Sequence, residues 1–334
     1  MQLYLNTYGT YLHKKGTLFE VEINKQKRQF SPQKISSIII SNSATITTDA
    51  IHMAMEFNID IIFLDDFGNP YGRVWYPKLG STTYIRRKLL EIYTNDEGLE
   101  FVKTWIVRKM SNQINFANLL LSKRPEYLDE ISSLISKMIV FRTEVYNING
   151  CLSTNMNSLM AYEGNCSHMY FKSLSKMIPD RYTFEGRSTR PAKDVFNAFL
   201  NYGYGVLYSK IEKALIIAGL DPYIGLLHTD NYNKKSLVFD FIEPYRILID
   251  KPVFYLFSRH KVKEEHYQEI KNGYKATTEG KKLIVAQLME HFDAIIRYGN
   301  KNIKRIDQIQ ADAHSFANFL IGKKKFFIEE NYED

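Results

Sequence analysis

From Met1 to about Pro77 hydrophobic positions recur at every second residue. After a Lys-Lys-Gly turn at Lys14 to Gly16, Thr17, Phe19, Val21 and Ile23 fall on one face of a strand, and Leu18, Glu20 and Glu22 on the other. Ser36 to Ile40 reads as a buried strand and about Thr48 to Glu56 as a short helix. Ile59 to Leu64 reads as a further strand, closed by the turn-rich run Asp65 to Pro70. Asp65 and Asp66, next to glycine and proline, are turn chemistry rather than a metal pair. After a break at Lys78 to Thr83 the period lengthens to three and four residues. It predicts helices over Tyr84 to Tyr93, Leu99 to Leu121 and Glu130 to Tyr146, then from about Thr154 to Ile178 and about Ala192 to Ala218. Gly219 and Pro222 stop the last of these. Gly280 to Tyr298 and Ala311 to Leu320 read as later helices. The pattern implies an α+β chain of two domains: a small β-rich one over residues 1–80 and a larger all-α one over 81–322. Residues 323–334, running from basic to acidic, form a flexible tail.

Several polar residues sit where the periodicity asks for apolar ones. Glu163 lies in a stripe through Met156, Leu159, Met160, Cys166, Tyr170, Leu174 and Met177, so it should face inward. A structural ion pair and a functional role explain such a carboxylate equally well. Gly164 weakens the helix and suggests close approach of another backbone or a ligand. The non-helical run Pro179 to Pro191 carries Arg181, Arg187 and Arg190, which suits either a phosphate grip or a solvated loop. Asp221 to Arg246 then places His228 at the end of an apolar run, followed by a polar loop (Thr229 to Lys235) and an apolar segment with Asp240 and Glu243. Their spacing of three puts both carboxylates on one helix face. The same residues, with Pro244, also read as a helix start. Taken singly each has an ordinary structural explanation. A single metal would account for Glu163, His228, Asp240 and Glu243 together, because unpaired charges in apolar surroundings cost several kcal/mol.

Composition narrows the function less. The 334 residues carry 44 basic and 37 acidic side chains, a net charge of +7, and a pI near 9.0. With 23 tyrosines and 21 phenylalanines that balance fits a polyanionic partner without requiring one. Cys151 and Cys166 make neither a disulfide framework nor a zinc site. No signal-peptide pattern opens the chain and no run is long enough to span a bilayer, so a cytoplasmic location is expected.

Four motifs in order resemble the CRISPR-associated integrase family of spacer acquisition: LMAYEGN (Leu159 to Asn165), RPAKDVFNAFLNYGYGVLY (Arg190 to Tyr208), GLDPYIGLLH (Gly219 to His228) and SLVFDFIEPYR (Ser236 to Arg246). The resemblance covers essentially the whole chain. It implies an N-terminal β domain that helps form a homodimer and an α-helical catalytic domain binding Mn²⁺ or Mg²⁺. It also implies double-stranded DNA as substrate and a small partner protein bridging two dimers. Glu163, His228 and Glu243 match the family's metal ligands, and Asp240 matches the acid before the third. That third ligand is aspartate in some members, so glutamate at 243 implies a shifted geometry with the metal retained. Tyr208 matches a tyrosine of some members, and Arg187, Arg190 and Arg246 resemble positions lining the DNA path. The implied activity is metal-dependent attack of a 3′-hydroxyl on a phosphodiester, with DNase activity when water is the nucleophile. A transposon-encoded integrase, a branched-DNA repair nuclease and a non-catalytic DNA-binding scaffold are the alternatives.

Overall fold

In a computed structural model, residues 2–35, 37–57, 59–65, 68, 70–74, 83–94, 96–228 and 234–323 are described. Asp66, most of the break after Lys78, residues 229–233 of the polar loop and residues 324–334 of the tail lie outside them. The chain divides into two compact units, Met1–Lys78 with Tyr204–Ser209, and the remainder.

The first unit builds strands where the alternation predicts them, near Thr17 to Ile23, Ser36 to Ile40 and Ile59 to Leu64, and further ones besides. They are β1 (Gln2–Leu5), β2 (Thr10–Lys15), β3 (Leu18–Ile23), β4 (Gln26–Phe30), β5 (Ser37–Ile40) and β6 (Ala44–Ile46). Helix α1 (Thr48–Glu56) follows, then β7 (Asp60–Leu64) and β8 (Pro70–Val74). They form two four-stranded sheets, ordered β1-β5-β7-β8 and β4-β3-β2-β6. Of the parallel strands β1, β5 and β7, the last two carry near-continuous apolar runs, and β5 is buried throughout, whereas β1 alternates. Leu3, Leu12, Phe19, Ile38, Met53 and Ile61 lie in their shared core. Thr47 caps α1 by accepting from the backbone N–H of Ala50, and Asp49 favours the positive end of its dipole. Glu20 departs from the expected alternation, since it is buried like Phe19 and Val21 on either side.

The second unit is mostly helical. It holds α2 (Thr83–Tyr93), α3 (Asp96–Ser122), α4 (Leu128–Asn147) and α5 (Leu152–Lys176), then α6 (Val195–Ile217, apart from Tyr204–Ser209), α7 (Ser236–Phe241) and α8 (Ile247–Ser258). After these come strands β9 (Tyr267–Ile270) and β10 (Gly273–Ala276), helix α9 (Thr278–Asp293), strands β11 (Ile295–Tyr298) and β12 (Lys301–Lys304), and helix α10 (Asp307–Leu320). The two antiparallel hairpins correct the all-helical expectation, and the helix predicted over Gly280 to Tyr298 ends at Asp293. Ala276 is the one buried residue in these four-residue strands, so no alternation of buried residues announces them.

Helices α3, α4 and α5 pack against one another. An aromatic cluster joins α3 to α7 and α10: Trp105 meets Phe241 and Phe316 edge-on, with ring centroids 5.8 and 5.5 Å apart. Asp312 of α10 is fully buried beneath it and accepts from the hydroxyls of Tyr245 and Tyr298. This packing fixes α3 beside the chain segment that leads from α7 into α8.

Candidate active site

Four segments of the second unit supply the site. Residues Lys109, Asn112 and Gln113 come from α3, and Glu163 and Ser167 from α5. The stretch 225–228 leads to His228, and a 3-10 turn, Glu243–Tyr245, joins α7 to Arg246 at the start of α8. Along α5 the stripe through Leu159, Cys166, Tyr170 and Leu174 is buried as expected, whereas Met160 on its flank is exposed. Glu163 is half-buried and turns its carboxylate toward α3. Open space surrounds Gly164, which corrects the expectation of a close backbone neighbour there.

The Glu163 carboxylate accepts from the ammonium of Lys109 and, at 2.9 Å, from the Ser167 hydroxyl. The same ammonium lies 2.6 Å from Glu243 Oε2. Two carboxylates 80 residues apart in sequence thus converge on one buried lysine. Glu243 is also held by Arg246, whose Nε and Nη2 donate to its two oxygens at 2.7–3.0 Å. Burial works to raise the proton affinity of Glu243, but Arg246 and then Lys109 outweigh it, and the carboxyl ends well below its usual range. Burial likewise opposes the charge on Lys109, yet Glu163 and Glu243 prevail and hold it protonated. Asn112 anchors the turn by donating to the Pro244 carbonyl at 2.8 Å.

Asp240 takes no part in that cluster. Its Oδ2 accepts from the backbone N–H groups of Leu226 and Leu227 at 2.6 and 3.1 Å, and its Oδ1 from that of His228 at 3.0 Å. Oδ1 also meets His228 Nδ1 at 2.6 Å. The spacing of three therefore does not place Asp240 and Glu243 on one helix face: α7 ends at Phe241, the turn begins at Glu243, and the two side chains take different partners. Gly225 permits the approach. A Cβ there would fall 2.5 Å from Ser236 Cβ and 3.0 Å from Asp240 Oδ2. The proton that Asp240 fixes on Nδ1 leaves Nε2 of His228 as the ring's acceptor. Burial pushes the His228 pKa down, but the Asp240 hydrogen bond and the charges of Asp240 and Glu243 raise it overall.

Among the described residues no three acidic, histidine or cysteine side chains are grouped closely enough to hold a metal ion. The donor set nevertheless fits a hard or borderline divalent cation. Two carboxylates meet around a positive charge already, and the His228 imidazole, which feels the Glu243 charge, is oriented by a carboxylate, as metal-binding histidines are.

The arginines predicted to meet DNA divide. Arg187 is half-buried: its guanidinium donates to Asn197 and Asn201 of α6 and lies over the Phe171 ring, so it pins the connecting loop. Arg190 is exposed. Arg246 spends its fork on Glu243. Tyr208 is half-buried on α6, within the stretch grouped with the first unit.

Sequence reasoning overlooked Lys109 and Gly225. Lys109 was legible by the argument that singles out Glu163, since it stands between Trp105 and Gln113 at four-residue steps in a buried stripe.

Comparison with known proteins bears on the lineage and the fold. The model of the family described as CRISPR associated protein Cas1 matches residues 3–290. CRISPR-associated endonuclease Cas1 1 of Archaeoglobus fulgidus is 30% identical over 339 residues, covering 98% of this chain and 98% of that protein. Among solved structures, a casposase bound to integration product superposes with a TM-score of 0.85 at 23% identity, covering 100% of this chain and 96% of that one. The Cas6-RT-Cas1–Cas2 complex gives a TM-score of 0.80 at 20% identity, covering 100% of this chain and 36% of that one. The solved structures speak for the fold, and the family model together with the full-length relative settles the lineage: the chain belongs to the CRISPR associated protein Cas1 family.

Proposed function

We propose that this protein is a metal-dependent DNA endonuclease and integrase that inserts new spacer DNA into a CRISPR array. The observation that carries the reading is the meeting of Glu163 and Glu243 around one buried cation; His228, held by Asp240, lies within range of the Glu243 charge. Family membership and the A. fulgidus relative, named as an endonuclease, support the nuclease activity. The casposase bound to integration product supports strand transfer on the same fold.

In this reading Glu163, His228 through Nε2, and Glu243 hold Mn²⁺ or Mg²⁺. When bound, that ion supplies Lewis acidity at the scissile phosphate and lowers the pKa of an attacking hydroxyl. Asp240 keeps the proton on Nδ1 of His228, so Nε2 stays available as a donor. Arg246 keeps Glu243 ionised and in place. Arg190, with Arg187 and Arg246 where their present hydrogen bonds leave capacity, faces the phosphates of the DNA. A 3′-hydroxyl of the incoming strand attacks the phosphodiester, one P–O bond forms, another breaks, and the leaving 3′-oxygen takes a proton. Tyr208 contributes to the DNA surface and does not serve as nucleophile.

The protein acts as a homodimer, two of which a small partner protein bridges; the Cas1–Cas2 assembly among the structural relatives supports that partner. The casposase likeness favours a second reading, a transposon-encoded integrase. Half-site transfer of a labelled protospacer into a repeat-containing plasmid with Mn²⁺ tests both. Glu163→Gln should abolish joining while DNA binding survives, and the repeat should be preferred over a transposon end. Joining that survives Glu163→Gln would overturn the catalytic assignment, and a preference for the transposon end would select the second reading.

A further inference from the structure

Lys109 is one of few buried lysines, and its surroundings set it apart from its neighbour on α3. Lys103 is equally buried but sends its ammonium to Glu100, one turn away and mostly exposed, and to the Ile148 carbonyl. Lys109 reaches two carboxylates on two other elements, α5 and the turn before α8. Glu243 is buried and Glu163 only half-buried, so the Glu163 side of the cluster is the one open to solvent. With Arg246 also on Glu243, two cations face two carboxylates, and the pair is neutralised without any bound ion. A divalent cation added to that arrangement would leave two uncompensated positive charges in a half-buried site, which is strongly disfavoured. Ammonium and divalent ion therefore exclude one another.

We propose that Lys109 is a built-in counter-cation that holds Glu163 and Glu243 together in the metal-free protein and that a divalent ion must displace to bind. The proposal rests on the reading of Glu163 and Glu243 as metal ligands. It makes Lys109 a positioning residue with an inhibitory side: the ammonium keeps two like charges side by side while the site is empty of metal, and by the same contact it weakens the site for metal. Ion binding is then coupled to release of a positive side chain next to the site where a phosphate arrives. A purely structural lysine predicts the reverse, because without it Glu163 would be free to swing away and metal binding would weaken.

Mn²⁺ binding to the full chain, followed by electron paramagnetic resonance of free Mn²⁺, separates the two, with the metal-free Tm measured in parallel. Lys109→Met should lower the metal-free Tm and tighten Mn²⁺ on the order of tenfold, so that saturating Mn²⁺ raises its Tm more than that of the unaltered protein. Lys109→Gln, which keeps a hydrogen-bond donor without the charge, should show the same direction and serves if the methionine variant fails to fold. In Lys109→Ala, ethylammonium should restore the metal-free Tm and compete with Mn²⁺. Unchanged or weaker Mn²⁺ binding in the folded variant, with Glu163→Gln still abolishing it, would overturn the role of Lys109 and leave the metal site standing. Mn²⁺ binding that is indifferent to Glu163→Gln would overturn both.

Discussion

Glu20 in the first unit and Glu243 in the second are both buried among cations, and they are built differently. Glu20, on β3, is covered by cross-strand neighbours: the register sets His13 on one side of it and Gln29 on the other. Lys15 adds a contact at 2.9 Å and Lys27 a longer one. Every partner lies within nine residues of Glu20, and both lysines are half-exposed, so water is one side chain away. Glu243 draws Lys109 from 134 residues away and shares it with a second carboxylate. One carboxylate under several mobile cations is the pattern of a sheet surface held in register. Two carboxylates that share one enclosed ammonium, with Arg246 on one of them, lie side by side because positive charge stands between them. The difference lies in the ratio of charges and in their enclosure, since both carboxylates are covered to a similar degree.

The sharpest way to break this comparison is through Asp240, a buried carboxylate with no lysine at all. Four N–H groups point at its two oxygens, so Asp240→Asn must turn an NH₂ toward a donor. At least one buried N–H then loses its acceptor, at a cost of about 1–3 kcal/mol. His228 loses the partner that fixes its tautomer, and Mn²⁺ affinity should fall about 10–100-fold, read by Mn²⁺ titration of the folded variant. Affinity unchanged by that substitution would mean that His228 is no ligand. Gly225→Ala comes next: its Cβ would press on Ser236 and on the Asp240 carboxylate. Overpacking of this kind costs about 1–3 kcal/mol, measurable by urea unfolding, with Mn²⁺ affinity falling alongside because the 225–228 segment carries His228. Stability lost without any loss of affinity would show that the segment holds the fold but not the site.

Much of this architecture is readable from the chain. The apolar period finds α1 at the bounds seen and α3 to α5 to within a few residues, because each buries a long stripe. Glu163 is readable as an exception to such a stripe. The direction of Asp240 is not: a spacing of three implies one face only along a continuous helix, and this one stops at Phe241 before a turn containing Pro244. The union of Glu163 with Glu243 depends on α3 running past α5 and past that turn, a tertiary fact with no local signature. The short hairpins β9–β10 and β11–β12 escape for the opposite reason, burying too little to leave a pattern.

The smallest effect is expected at Glu20, where it tests the structural side of the comparison. The hydrogen bond from Gln29 and then the one from Lys15 lower the Glu20 pKa from its ordinary 4.5 against the opposing effect of burial. A carboxyl depressed in the folded state contributes stability that is fully present above the unfolded value and lost as pH falls through the lowered one. Glu20→Gln should therefore flatten the acid limb of the Tm profile below about pH 4.5. At neutral pH it should lower Tm slightly and leave Mn²⁺ affinity and strand transfer unchanged. The amide keeps one acceptor for Lys15 or Gln29, and the lysines it no longer attracts are already solvated. Were Glu20→Gln instead to impair strand transfer as Glu163→Gln does, the β unit would belong to the chemistry, and enclosure would no longer distinguish a functional buried carboxylate from a structural one.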